Sequence, residues 1–458
     1  MQEAREKFTS RLAFIIVSVS CAVGLGNIWL LPYRAGTYGG GTYILLFLLF
    51  AFLLAIPALT AEYAVGRGSK RSMATHYQEL QPEGTKWHYA SYMGIAGNYL
   101  LMMFYTVICG FALAYLWKGI TGSLTGQSPE YITAAWGALT SDPVQTVGFT
   151  LAICFAGFTA CYLGLNKGVA RVGKYMMLAF FTLVIILIGR ALTLPGAMEG
   201  VAFIFTPTWA PIAEHGFFTI VHMAMGQALF SLSVGIGAMA IFASYMGKEK
   251  RLLGEARTVG IIDLSVSILC LLMIFPAAFA FGIAPNAGAG LIFVTLPNIF
   301  NHMPGTYIWA LLFYIGLVFV SFSTAVAVYE NIVAMSMDKF GWTRKKSVLI
   351  NVFLVAALCM PAALGTNILA HIQPFGFANF SAFWTFLVMD NFLPLGAMIY
   401  VIFCMSRRGW GFENFMAEVN TGEGLKFPTS LRFYMTYIVP LAIFFIFIFG
   451  HLNRFVFN

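Results

Sequence analysis

Two glycine-broken stretches and a few neutral oxygens carry the chemistry open to this chain. Residues 21–27 read Cys-Ala-Val-Gly-Leu-Gly-Asn, and residues 231–237 read Ser-Leu-Ser-Val-Gly-Ile-Gly, each inside a long apolar run. Glycine weakens a helix, and a helix broken in lipid frees main-chain groups that water cannot reach. The start of a half-helix offers free N–H groups and partial positive charge, suited to a carboxylate. The freed carbonyls are oxygen donors suited to a small cation such as Na⁺. Asn27, Ser231, Ser323 and Thr324 add neutral side-chain oxygens. A Ser or Thr in such a helix also satisfies itself by bonding back to the preceding turn. A lone glycine pair also fits close helix packing. Two breaks in corresponding places point instead to a transporter's binding site.

Acids within the apolar runs are few: Glu62, Asp263, Glu330 and Asp390. An ionisable group at membrane depth is expensive and usually functional. Asp263 sits about two turns into its run and reads as a site residue or a tie between helices. Glu62 reads as a tie, Glu330 as either, and Asp390 as a residue where the helix loosens before Pro394. Enzyme signatures are missing from the sequence: it has no HExxH, GxSxG or phosphate-binding loop. The seven histidines are scattered, and the seven cysteines all fall in apolar runs without metal-site spacing.

The elements that must position these residues are membrane helices. Of 458 residues, 60% are hydrophobic and only 10% charged. Apolar runs long enough to cross a bilayer recur along the chain. Eleven spans are predicted, near 12–36, 41–67, 89–117, 145–163, 172–193, 217–246, 256–282, 306–337, 346–364, 377–405 and 429–451. Short surface helices are expected within 118–145 and 365–376. The first span is too long for a signal peptide. Of the 26 basic residues, all but Arg34, Lys118, Arg190 and Arg454 fall on one side of this layout. The positive-inside rule puts that side, with the N-terminus, in the cytoplasm. An odd span count then leaves the C-terminus outside, and the expected location is the cytoplasmic (inner) membrane. The net charge of +8 serves topology, so the lipid bilayer is an expected partner and nucleic acid is not. The sequence carries no signature of oligomeric state.

The whole chain, 1–458, reads as one transporter domain. Spans 1–5 (about 12–193) and 6–10 (about 217–405) match in pattern, with an extra span at about 429–451. Each half opens on an interrupted helix. Each third helix carries polar groups deep inside, Tyr105 in one and Ser323 and Thr324 in the other. Five spans per half give the halves opposite orientation, with sites where the broken helices meet. The fold class is therefore all-α and polytopic, a five-plus-five inverted repeat with discontinuous spans 1 and 6.

Four segments carry a resemblance. They are Ala22-Val-Gly-Leu-Gly-Asn-Ile-Trp with Pro32-Tyr33 and Gly39-Gly-Gly41, and Ile56-Pro with Glu62-Tyr-Ala and Gly66-Arg67. The others are Gly226-Gln-Ala-Leu-Phe-Ser-Leu-Ser-Val-Gly-Ile-Gly237 with Ala243-Ser-Tyr245, and Phe275-Pro-Ala-Ala-Phe-Ala-Phe-Gly282. In order and spacing they resemble the neurotransmitter:sodium symporters, and within them bacterial amino-acid transporters of the leucine-transporter type. The resemblance implies Na⁺-coupled uptake of amino acids or amines by alternating access. It implies one sodium at the carbonyl of Ala22 with Asn27, Ser231, Asp263 and the substrate carboxylate. It implies a second at the carbonyls of Ser20, Val23 and Val320 with the hydroxyls of Ser323 and Thr324. The substrate carboxylate would meet the Leu25 and Gly26 amides and Tyr105. Its side chain would lie among Leu101, Phe230, Ser233, Ile236 and Val328, within reach of Ala22, Ser231 and Thr324. Arg5 and Asp338 match the family's cytoplasmic gate pair, with Phe8 and Tyr245 beside them.

Departures from the family pattern refine the expectation. Amine-transporting relatives hold an aspartate at the position of Gly24, so this cargo must bring its own carboxylate. A neutral hydrophobic or aromatic α-amino acid is expected, with Ser233 open to a polar tip as on tyrosine or tryptophan. Chloride-dependent relatives use a tyrosine and an asparagine where Phe47 and Asp263 stand, while Ser267 is kept. No chloride requirement is expected, and Asp263 becomes the built-in anion, a candidate to carry a proton on the empty return step. The outer Arg–acid pair is absent, with Leu30 at the arginine position and no acid around Phe383-Trp384, so a mainly apolar outer gate is expected. Arg34 lies one turn outward, facing either the vestibule or the headgroups. Leu178 replaces a frequent proline. A non-transporting amino-acid sensor of the same fold and an intramembrane enzyme are the competing classes. The first lacks a visible signalling domain, and the second lacks a nucleophile–base set.

Overall fold

Long helices form because the apolar runs leave the main chain no partner but itself in lipid. The computed structural model describes residues 7–283 and 290–457. Among the described residues, nine helices are long and apolar enough to cross a membrane. A bent pair, α1 (Arg11–Ala22) and α2 (Gly26–Thr37), meets at 47° and makes a further crossing. The long helices are α3 (Gly41–Ser69), α4 (Trp87–Thr121), α5 (Pro143–Tyr162) and α6 (Leu165–Leu192), then, after a second interrupted segment, α9 (Leu252–Ala280), α10 (Thr306–Phe340), α11 (Arg344–Leu364) and α12 (Phe380–Met405). A helix over Thr429–Val456 closes the chain as α14. The interrupted segment is α7 (Phe217–Ser231) and α8 (Ala238–Ser244), each too short to cross alone. It occupies the place of the sixth of the eleven expected spans.

Both breaks are real. Helix α1 stops at Ala22, Val23 is extended with ψ 108°, and α2 restarts in a wide turn over Gly26–Leu30. In the second break Ser233, Gly235 and Gly237 have φ of 51°, 115° and 77°. Glycine bears that region without strain, whereas Ser233 must be held there by its contacts. The surface helix expected within 118–145 is present as Pro129–Ser141. Between the expected spans, Ala197–Phe205 and Leu291–Asn301 are also helical.

Glu62 is the tie expected of it. Its carboxylate accepts from the N–H groups of Gly235 at 2.7 Å, Met239 at 3.0 Å and Ala240 at 3.2 Å. It thereby caps α8, whose first amides have no helical partner. Gly66 lets the backbones of α3 and α8 touch, because a Cβ there would fall onto the Ala240 carbonyl. Near that end the buried guanidinium of Arg67 grips Glu418 Oε1 at 2.5 Å and the Lys250 carbonyl at 2.6 Å. Glu418 belongs to a short helix, α13 (Phe412–Val419), which is thereby fixed to the end of α3. Helix α10 runs through the centre, packed on α4 and α6.

Glu62→Ala leaves three buried donors without an acceptor. It is expected to lower stability by about 3 kcal/mol or more, measured as a fall in detergent melting temperature.

Candidate functional site

The two breaks face one cavity. Its wall contains Ala22, Leu25, Gly26, Leu101, Tyr105, Phe230, Ser233, Ile236, Thr324 and Val328, brought together from α1, α2, α4, α7, the second break and α10. Cys21, Gly24, Ala238 and Leu393 also line it. Ser231 does not, because its hydroxyl turns away and donates to Asp263 Oδ2 at 2.6 Å.

The cavity wall carries a few polar groups. The Leu25 N–H donates to the Tyr105 hydroxyl at 3.4 Å. A Cβ at Gly24 would come within 2.8 Å of Thr324 Oγ1 and 3.0 Å of the Tyr105 oxygen. There is thus no room at position 24 for a charged side chain. The rest of the wall is mostly apolar, with Leu101, Phe230, Ile236 and Val328 among its residues. Ser233 donates to the Cys21 carbonyl at 3.1 Å, which sews the two breaks together. With its proton so used, it offers a ligand only lone pairs.

Asp263 lies fully buried beside the cavity. It receives Asn27 Nδ2 at 2.8 Å and the Ser231 hydroxyl, and Asn27 Nδ2 also reaches Ser231 Oγ at 3.3 Å and Ser267 Oγ at 2.9 Å. Asn27 Oδ1 accepts the Gly24 N–H at 2.9 Å, satisfying a group freed by the first break. Among the described residues no Lys, Arg or His forms an ion pair with Asp263. A buried carboxylate surrounded by neutral donors is costly, and a bound cation relieves that cost.

A second oxygen-rich point lies where α1 ends against α10. Thr324 Oγ1 is 3.0 Å from the Ser20 carbonyl, 2.9 Å from that of Val23 and 3.2 Å from that of Val320. One hydroxyl proton serves one acceptor, so carbonyl lone pairs remain directed at a shared point. That donor set fits a small alkali cation, and Val23 and Ser20 belong to the broken turn. Ser323 donates back to Val320 at 3.0 Å and touches Met177 Sδ at 3.7 Å. Its present bond is the back-bond open to any membrane-helix serine. Gly173 on α6 makes room for Ser20, since a Cβ there would come within 2.8 Å of the serine oxygen.

One end of the cavity carries a polar bridge. Arg34 turns inward: Nη1 donates to Gln227 Oε1 at 3.2 Å and to the Met223 carbonyl at 3.4 Å. Gln227 Nε2 donates to the Gly26 carbonyl at 3.2 Å. These bonds join α2, α7 and the first break. Gln227 belongs to the Gly226–Gly237 motif, and its place in that motif gives no indication of this bridge. Asp390 sits in a wide turn over Leu387–Phe392, as the loosened helix before Pro394 implied.

At the opposite end, Phe8 meets the Tyr245 ring at 5.9 Å and its N–H donates to the Tyr245 carbonyl at 3.2 Å. Asp338 Oδ2 accepts the Ser72 N–H at 2.6 Å. Arg5 lies outside the described residues. Glu330 accepts from Tyr245 at 3.0 Å and from both Arg344 terminal nitrogens at 2.7 and 2.9 Å. It is a helix tie rather than part of the cavity.

Comparison with known proteins agrees along the chain. The Sodium:neurotransmitter symporter family matches residues 5–136 and 138–455. The uncharacterized sodium-dependent transporter YhdH of Bacillus subtilis (strain 168) is 32% identical, over 96% of this chain and 97% of its own length. An uncharacterized sodium-dependent transporter of Haemophilus influenzae (strain ATCC 51907 / DSM 11121 / KW20 / Rd) is 29% identical, over 97% and 98%. The crystal structure of MhsT in complex with L-phenylalanine superposes with a TM-score of 0.89 at 33% identity, covering 98% of this chain and 100% of that one.

Thr324→Val keeps volume and removes the hydroxyl on which three carbonyls converge. It is expected to weaken sodium binding by about tenfold or more in an equilibrium assay with radiolabelled sodium on purified protein.

Proposed function

The chain belongs to the sodium:neurotransmitter symporter family, a multi-pass membrane protein of five-plus-five inverted-repeat fold, a sodium-coupled symporter and not an enzyme; on that premise we propose that it imports a neutral, hydrophobic or aromatic α-amino acid without chloride. The observation that carries this reading is the cavity wall. Gly24 leaves no charged side chain to meet a lone amine, while Leu25 and the Tyr105 hydroxyl to which its amide donates give the wall its polar groups. Leu101, Phe230, Ile236 and Val328 make the rest of it largely apolar. MhsT, a chain of the same fold, is in complex with L-phenylalanine, an amino acid of that class.

In this reading the zwitterion uses both kinds of wall residue. Its carboxylate meets the first amides of α2 and the Tyr105 hydroxyl, where the half-helix field is positive. Its side chain lies against Phe230, Ile236 and Val328. Ser233 accepts a hydrogen bond from a tyrosine hydroxyl or an indole N–H.

Two sodium ions accompany it. One is held at Ala22, Asn27, Ser231 and Asp263, shared with the substrate carboxylate. The other is held at Ser20, Val23, Val320, Ser323 and Thr324. Asp263 supplies the negative charge that balances ions and substrate in low dielectric, so no halide is needed. On the empty return step the same carboxylate carries a proton, which avoids an unpaired buried charge.

Repeat one covers about 12–193 and repeat two about 217–405, with the N-terminus cytoplasmic and the C-terminus outside. Alternating access then breaks Arg34–Gln227–Gly26 on the outer side and the contacts of Phe8, Tyr245 and Asp338 on the inner side, where the family pattern also puts Arg5.

Proteoliposomes with an imposed sodium gradient test this reading with a panel of twenty amino acids. Uptake of hydrophobic and aromatic members is expected, unchanged when chloride is replaced by gluconate. In Asp263→Asn, uptake is expected to fall about tenfold or more and to become stimulated by chloride. Unaltered uptake in that variant, with no halide effect, would sink the built-in-anion reading.

A further inference from the structure

The wall residue Ile236 is gripped from outside the cavity at two points. Asn98 on α4 donates from Nδ2 to the Ile236 carbonyl at 2.6 Å, and to the Gly94 carbonyl at 2.8 Å. Asn331 on α10 donates to Asn98 Oδ1 at 2.7 Å. Both amides are fully buried. Ile236 stands between Gly235 and Gly237, both with left-handed φ, so its own neighbours do not fix its peptide. The Asn98 amide does. Without it, a buried carbonyl is left unpaired.

The second grip is on the side chain. A Cβ at Gly97 would lie 2.9 Å from Ile236 Cγ2 and 3.2 Å from Phe392 Cδ1. Gly97, Leu101 and Tyr105 follow at intervals of four on one face of α4. Leu101 and Tyr105 line the cavity, so Gly97 lies one turn beyond it, behind Ile236. The missing side chain is the space that Ile236 occupies.

We propose that Gly97 and Asn98 are positioning residues that set how deep the side-chain end of the cavity is, by fixing Ile236, and that Asn331 ties this depth to the cation-bearing helix α10. This rests on the reading of the cavity as an amino-acid site. Asn331 is two turns along α10 from Thr324 and three residues from Val328. The wall of the second break and the sodium-binding stretch are thus linked by two amides. A methyl group at 97 pushes the Ile236 branch into the cavity and disfavours the bulkiest cargo. Loss of the Asn98 donor frees the Ile236 peptide and blurs discrimination by size.

The test is sodium-driven uptake by the full chain in proteoliposomes, with KM and kcat measured for valine, leucine, phenylalanine and tryptophan. Gly97→Ala is expected to raise the KM for tryptophan relative to valine by about tenfold or more, with kcat for valine little changed. Adding Ile236→Val to Gly97→Ala restores room and is expected to recover most of that ratio. Asn98→Ala and Asn331→Ala are expected to flatten the size series, the second less than the first. If Asn98→Ala does not fold, the Gly97 and Ile236 pair carries the test alone. Uptake of no amino acid by the parent would overturn the functional reading and this proposal with it. Normal uptake by the parent, with the same size series in every folded variant, would overturn this proposal alone.

Discussion

Main-chain groups freed inside a membrane must find partners, and nearly every feature of this site follows from that requirement. At the first break, the Gly24 N–H goes to Asn27, the Leu25 N–H to Tyr105 and the Gly26 carbonyl to Gln227. The carbonyls of Ser20 and Val23 lie against Thr324, and that of Cys21 against Ser233. At the second break, Glu62 takes three N–H groups and Asn98 takes the Ile236 carbonyl. Each partner, apart from Asn27, comes from a different helix or from the other break. The unwound segments are therefore held open by their surroundings, which is the pre-organisation a binding site needs.

The same bookkeeping separates what is satisfied from what is not. Thr324 has one proton for three nearby carbonyls, and Asp263 has neutral donors but no cationic neighbour among the described residues. Those two places carry surplus negative potential within a few residues of the cavity. In the proposed reading sodium and a zwitterion answer both at once: the ion would relieve Asp263 and the carbonyls, and the substrate carboxylate would meet the amides of α2. Binding of each then lowers the cost of binding the other, which is the thermodynamic content of coupling.

Much of this was legible in the sequence because glycine pairs in apolar runs have few uses. The breaks at 21–27 and 231–237, the helix ranges and the tie at Glu62 followed from residue type and position. Less legible were contacts set by how a helix is rotated against its neighbours. Ser231 faces Asp263 instead of the cavity, while Cys21, Ala238 and Leu393 line it. Arg34 has a stem long enough to reach either headgroups or protein, and only the nearby Gln227 decides it. Asn98 and Asn331 are lone amides in apolar helices, and their spacing to Gly97 and Val328 was the available clue. Leu291–Asn301 lies between two expected spans and is helical, and Pro297 is tolerated there because it stands near a helix start, where the wide turn ends.

The central claim is that cation and amino acid occupy the two breaks together, each completing the other's site. Paired binding isotherms on purified protein test it most directly, with labelled amino acid titrated at high and low sodium and labelled sodium titrated with and without the amino acid. Reciprocal shifts of the same size in both affinities are expected. Amino-acid binding of equal strength in sodium and in potassium would contradict the account.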